Sequence, residues 1–448
     1  MSAKEVDRAV RRIEARRPDL NMAVQAVAGG LTAGEGVDMI HQAALQEFLW
    51  WHLPRDYPDD EWHGLVDATA LLLDELGLKQ LAEVARSEET QKVLAAWVQG
   101  RDKGAAAFRA AQAKSGVEPP DTALLAWGSI MGTDEARALD TVERALGDAV
   151  GARDLLPGAP RWQAKAAAIT EAVLSRPLDL PPGQTLAGLV TTERIGTWIG
   201  AARHPMHQEW RSAVANGLLH PIETPSNPGD AVAPMGWLLE LAAEPGGTEL
   251  TQSNYLARAT VLAAVERFGW WDWDKPPRSE ADVHQLSTLR NAANRLRLLR
   301  RRGRRLHLTT RGVEFLASPD RLWEQVASET EDGEDFTRAV TELVGLRLLQ
   351  GRVEQRKLVG EIASILIAQG WSTAGSLITV NHVSSAVYCP LRWWRLFNTV
   401  DEVNATWEYG TARELTPHTV ALTPDGERMV LAYLRSRAAG PRRTLHGL

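Results

Sequence analysis

Apolar residues recur at helical spacing through most of the first 220 positions. Pro58-Asp59-Asp60-Glu61 supplies a proline and negative charge for a helix start. Trp62, Leu65, Val66, Leu72, Leu73 and Leu76 then follow until Gly77 stops the run, which predicts one helix with a single buried stripe. Ser87-Glu88-Glu89 predicts the next, because a capping hydroxyl and two acids precede Val93, Leu94, Trp97 and Val98 on an apolar side. Breakers at 118–121, 156–160 and 180–183 mark further connections between helices. The densest linker signal, 221–230, has Glu244-Pro245-Gly246-Gly247 close behind, and the main boundary is placed there.

Beyond that boundary a repeat emerges. In its first copy Tyr255 to Phe268 forms an amphipathic helix through Leu256, Val261, Leu262, Val265 and Phe268, ended by Gly269-Trp270. Leu358 to Gln369 does the same through Val359, Ile362, Ile365 and Leu366, ended by Gly370-Trp371. Each copy then reaches a short alternating segment and a turn, Leu306-His307-Leu308-Thr309-Thr310-Arg311-Gly312 and Val420-Ala421-Leu422-Thr423-Pro424-Asp425-Gly426. The alternation gives a half-buried strand, the threonine caps the following helix, and the glycine keeps the turn uncrowded. Winged-helix domains are built in this way. The expected fold class is therefore mainly α, with a multi-helix N-terminal region plus two winged-helix-like modules. A helical domain is expected over 1–155, a helical connecting region over 156–245, a basic module over 248–328 and a second module over 335–440.

Charge singles out the first module. Arg290, Arg295, Arg297, Arg300, Arg301, Arg302, Arg304 and Arg305 fall within sixteen residues. Over 251–327 fourteen Lys and Arg face eight Asp and Glu, a net +6, whereas the whole chain carries −7 and the remainder therefore −13. A positive module on an acidic chain is a localised field that attracts phosphates. Leu286, Leu289, Ala293 and Leu296 take the core-facing spacing of one helix, so Ser287, Asn291, Asn294 and Arg295 project outward from it. Asn reads adenine and Arg reads guanine bidentately, while Arg300 to Arg305, on the hairpin of a wing, suit backbone phosphates. Ser287, Arg290, Asn291, Asn294, Arg295, Arg297, Arg300, Arg301, Arg302, Arg304 and Arg305 are thus the candidate nucleic-acid-binding residues, and double-stranded DNA is the leading partner. In the second module the equivalent helix is placed after Pro390, with Arg392 and Arg395 outward and Leu391, Trp394 and Phe397 inward. Its wing segment, 408–422, is not basic, which suits dimerisation or packing. Arg435, Arg437, Arg442 and Arg443 read as a helix terminus and a solvated tail.

The remaining composition narrows the function classes. A hydrophobic share of 44% with 24% charged residues is globular, and the absence of a bilayer-length apolar run or a secretory pattern points to a cytoplasmic protein without a membrane role. Cys389, the only cysteine, excludes an internal disulfide and reads as a small buried hydrophobe. Seventeen tryptophans, against six phenylalanines and five tyrosines, are mostly expected in cores. His204-Pro205-Met206-His207 lacks a third well-spaced metal ligand, and its proline disfavours a regular helix there. Gly29-Gly30-Leu31-Thr32-Ala33-Gly34 lacks the Lys-Ser or Lys-Thr of a phosphate loop and reads as a loop. Asp59-Asp60-Glu61 and Asp272-Trp273-Asp274 read as a helix start and a surface turn. No catalytic residue, metal ligand or cofactor is assigned.

The layout resembles a group of largely uncharacterised proteins of high-GC Gram-positive bacteria. The likeness is carried by 117–122 with Trp127-Gly128-Ser129-Ile130-Met131-Gly132, by Leu308-Thr309-Thr310-Arg311-Gly312, and by 422–426 with 437–442. It implies architecture and transfers no catalytic residue. The leading function is a DNA-binding protein acting in transcription regulation. The alternative is a protein-interaction or scaffold protein with winged helices that do not bind nucleic acid, and the third reading is an enzyme with a site in the helical half.

Overall fold

The computed structural model describes residues 3–32, 34, 36–179, 182–271, 273–329, 335–373, 376–403 and 418–443. The chain is mainly helical and divides into two compact units, residues 1–193 with 441–448, and 194–440. Among the described residues no helix is long and apolar enough to cross a membrane.

The first unit contains two cores. The larger is built by helices Ala3–Arg16, Asn21–Thr32, Trp62–Glu75, Lys79–Arg86, Glu88–Val98 and Arg101–Ser115. Trp62, Leu65, Val66, Leu72 and Leu73 are buried along one helix, as their spacing predicts, and Gly77 ends the run at φ 80°. Ser87 caps the next helix by accepting from the Thr90 N–H at 3.2 Å. Val98, expected on the apolar side, is exposed instead, because it is the last residue of its helix and lies beyond the core. Gly29 to Thr32 are not a loop but the end of helix Asn21–Thr32, and a Cβ on Gly30 would stand 2.6 Å from the Phe48 ring, so close packing explains that glycine. Ala33 lies outside the described residues. Helices Thr133–Gly151 and Trp162–Ser175 carry the smaller core, around Leu146, Leu155, Leu174 and Val190. Residues 441–443 complete this unit. The Ile130 N–H donates to the Arg442 carbonyl at 3.1 Å, and the Arg442 guanidinium lies 3.6 Å from the fully buried Glu135 carboxylate. Arg442 is therefore a buried acid's partner rather than part of a solvated tail.

The second unit holds one continuous core and both copies of the repeat. The first copy runs through helix Ala233–Ala243, strand β1 (Thr248–Glu249), helices Arg258–Phe268 and His284–Arg295, β2 (Leu299–Arg302), β3 (Arg305–Leu308) and helix Thr310–Leu316. The second runs through helix Asp335–Leu348, β4 (Val353–Glu354), helix Gln355–Ala368, a small hairpin of β5 (Ser372–Thr373) and β6 (Ser376–Leu377), helix Val380–Arg395, β7 (Val400–Val403), β8 (Thr419–Leu422) and helix Pro424–Ala438. The three-stranded sheets are antiparallel, in the orders β1-β3-β2 and β4-β8-β7, so the copies share one topology.

The repeated threonine-glycine turns have one physical basis. Thr309 and Thr423 each cap a helix by accepting from the Gly312 and Gly426 N–H groups at 2.9 and 3.1 Å. Their own N–H groups donate to the carbonyls of Leu298 and Thr399 at 3.0 and 3.1 Å. A Cβ on either glycine would overlap that same carbonyl oxygen. Sequence periodicity places three starts differently from the fold. The first-copy helix begins at Arg258, because Leu256 is held by a bridge to Leu250. Helix Pro205–Leu218 begins on the proline itself, at a position where a missing N–H costs nothing. The second-copy helix begins at Val380, started by the capping box of Thr379 and His382, and it carries Pro390 inside rather than in front. Of the second-module wing segment, 408–417 lies outside the described residues. Trp323, Trp393 and Trp394 are fully buried, whereas Trp273 is 77% exposed.

Candidate nucleic-acid interface

Helix His284–Arg295 turns Leu286, Leu289 and Ala293 into the core, continued by Leu296, as the spacing requires. Asn291 and Asn294 are exposed on its other side and Ser287 is half-buried, with its hydroxyl donating to the His284 carbonyl at 3.0 Å. Beyond its end at Arg295 the chain turns at Arg297, whose φ of 57° is left-handed, and the Leu298 N–H returns to the Ala293 carbonyl at 2.9 Å. Asn398 takes the same conformation at the same place in the second copy, with φ 53°.

The eight arginines separate into two groups. Arg290 is turned inward, with Nε 3.0 Å from the carboxylate of Glu280, a fully buried residue, and one guanidinium N–H donating to the Asn254 carbonyl at 2.6 Å. Burial raises the Glu280 carboxyl above its usual range, against the Leu256 N–H bonded to it at 2.7 Å and the charge of Arg290. Arg305 donates to the carbonyls of Gly246 and Gly247, each at 3.0 Å, and so ties β3 to the turn before β1. Arg295 lies 3.8 Å from Glu329. These three side chains are engaged within the module.

Arg297, Arg300, Arg301, Arg302 and Arg304 are exposed. The last four are carried by the β2–β3 hairpin and its turn. Leu299 pairs with Leu308 and Arg301 with Leu306, so one face of the ribbon meets the core at its base, while Arg300, Arg302, Arg305 and His307 share the other face. Among the described residues, the only acid within ion-pair distance of these exposed arginines is Glu249, 3.8 Å from Arg304.

Sequence reasoning missed Glu280, Glu249 and the carbonyls of Gly246 and Gly247. The consecutive glycines were a usable signal, since both adopt positive φ, 89° and 72°. The second module is built otherwise. Arg395 is held by Glu402 at 2.9 Å, and Leu377, Val380 at the start of its helix and Tyr388 midway along it are exposed. His207 of the 204–207 motif is buried, with Nε2 3.0 Å from Glu342 and Nδ1 3.0 Å from the Gln369 amide, so both ring nitrogens are engaged.

A family model described as the Y4jL N-terminal domain matches residues 231–321. The match covers the first copy of the repeat, from the start of helix Ala233–Ala243 to beyond the hairpin, and makes that module similar to this domain. No curated protein and no solved structure matches the chain.

Proposed function

We propose that this chain is a duplex-DNA-binding protein with a role in transcription regulation, and that the first module carries the interface. The outward Asn291 and Asn294, with Ser287 beside them, approach base edges in the major groove. Arg297 and the hairpin arginines approach the backbone. The observation that supports this reading most is the ribbon edge itself, where exposed arginines outnumber the single acid beside them while the rest of the chain is acidic. Surface arginines serving stability would be interspersed with acids, whereas a one-sign cluster favours a polyanion.

A second reading concerns the second module. Its exposed Val380 and Tyr388, which line one pocket, favour a protein partner for that surface, because neighbouring exposed apolar side chains gain most from a dry contact.

The test is fluorescence anisotropy of the full chain on a labelled random duplex, comparing R300A/R301A/R302A with R352A/R356A/K357A on the second module. The proposal expects the first variant to bind far more weakly than the native chain and the second to bind as the native chain does. Equal loss in both, or in neither, contradicts the assignment.

A further inference from the structure

The tip of the hairpin differs from its base in a way that bears on which DNA is bound. At the base, Leu299, Leu306 and Leu308 are buried and Arg305 grips two backbone carbonyls, so the ribbon projects from a fixed root. Gly247 tightens that root, since a Cβ there would crowd the Leu306 carbonyl and the His307 ring. At the far end Arg302 pairs with Arg305, leaving only Gly303 and Arg304 in the turn. Gly303 has φ 57°, and nothing lies within 4 Å of where its Cβ would stand. The tip is therefore narrow and bare, with an exposed arginine on each side of a glycine. The Arg302 side chain has no hydrogen-bond or ion-pair partner among the described residues. Arg304 has the distant Glu249, in a pair more than 60% exposed on both sides, which is weak and yields readily to a stronger anion.

A minor groove is about 6 Å wide, too narrow for a helix or a ribbon but open to side chains from a thin tip. Its hydrogen-bond pattern is degenerate, so what distinguishes sequences there is chiefly width. A·T tracts narrow the groove and deepen its negative potential, which draws arginine in. Residue type agrees with this: 290–305 holds eight arginines and no lysine. Lysine serves phosphates as a point charge, whereas the planar, weakly hydrated guanidinium enters a narrow groove at lower desolvation cost.

We infer that Arg302-Gly303-Arg304 reads the narrow minor groove of A·T-rich duplex DNA, so that the module selects its sites partly by groove width. The inference rests on the DNA-binding reading above and names the class of site.

The experiment uses the full chain and three labelled duplexes of equal length at one salt concentration, with A·T, G·C or inosine·C pairs at the centre. Inosine·C has the minor-groove edge of A·T and resembles G·C in the major groove, so it separates the two grooves. The expected result is binding about tenfold tighter to the A·T duplex than to the G·C duplex, with inosine·C following A·T. R302K/R304K, which preserves charge, is expected to hold G·C affinity within about twofold and to lose the preference. Equal affinity for all three duplexes overturns the inference while leaving DNA binding intact. So does a preference that survives in R302K/R304K, or inosine·C following G·C. Absence of binding to every duplex at low salt overturns the DNA reading itself, and this inference with it.

Discussion

Glu342 gives the sharpest stability prediction. It lies in helix Asp335–Leu348 with its side chain 4% exposed, and it bonds His207 at 3.0 Å and Arg211 at 2.6 and 2.8 Å, with Arg437 4.0 Å away. Arg211 also stacks over the Trp198 ring at 4.7 Å, so it cannot follow a lost partner into solvent without breaking a second contact. Burial alone would raise the Glu342 carboxyl. The His207 hydrogen bond and the Arg211 charge outweigh burial and hold it down to about 2, from an ordinary 4.5. A carboxyl depressed that far contributes about 3 kcal/mol at neutral pH, the same order as the roughly 3–5 kcal/mol that removing one partner of a buried pair costs. Because the folded value is the lower one, the contribution is complete above 4.5 and drains away as pH falls from there toward 2. Urea unfolding of the native chain and of E342Q, followed by hydrogen exchange in helices Pro205–Leu218 and Asp335–Leu348, measures this directly. E342Q is expected to be about 3 kcal/mol less stable at pH 7, with the gap shrinking below pH 4.5. A variant as stable as the native chain at pH 7, or a gap independent of pH, would show that the ionised Glu342 carboxylate does not stabilise the fold.

Three further outcomes follow from other positions. Gly312→Ala drives a Cβ into the Leu298 carbonyl, so despite the better helix propensity of alanine it should destabilise the first module by about 1–3 kcal/mol in urea unfolding. Arg297→Gly relieves a left-handed arginine and should stabilise the same module by up to about 1 kcal/mol while weakening DNA binding, a split visible by comparing thermal melts with anisotropy. Glu143 has its carboxyl raised to about 7, mainly by burial and further by Glu47, Asp140 and Glu118. Above its unfolded value the charged form costs the fold energy, so E143Q should stabilise the first unit at pH 8 by up to about 3 kcal/mol, and the gain should vanish as pH falls through 7 toward 4.5.

How much of this was legible in the sequence depended on how local each cause was. The stripe from Trp62 to Leu73, the ends at Gly77, Gly269 and Gly370, and the Thr309 and Thr423 caps all rest on neighbours within a few residues, and the repeat followed from them. Strands β1 and β4 were invisible, because two residues are too few to show alternation. The start of helix Val380–Arg395 was masked by Pro390, which looks like a boundary but is buried within a helix already begun by its capping box. The arginine run showed where positive charge concentrates but not its division of labour. Arg290 answers Glu280 across ten positions, and Arg305 answers carbonyls almost sixty positions earlier, partners that only the folded chain brings together.

Under the proposed function, exposed arginines of one module, and not the chain as a whole, meet phosphates. The most direct test is the salt dependence of duplex binding by the full chain, since each phosphate neutralised adds about 0.9 to the slope of log K against log salt. Arg297, Arg300, Arg301, Arg302 and Arg304 predict a slope of roughly −3 to −5, reduced by two to three in R300A/R301A/R302A, as each charge lost removes about one from the slope. A slope near zero, or one that the triple variant leaves unchanged, would rule out phosphate contact by this module.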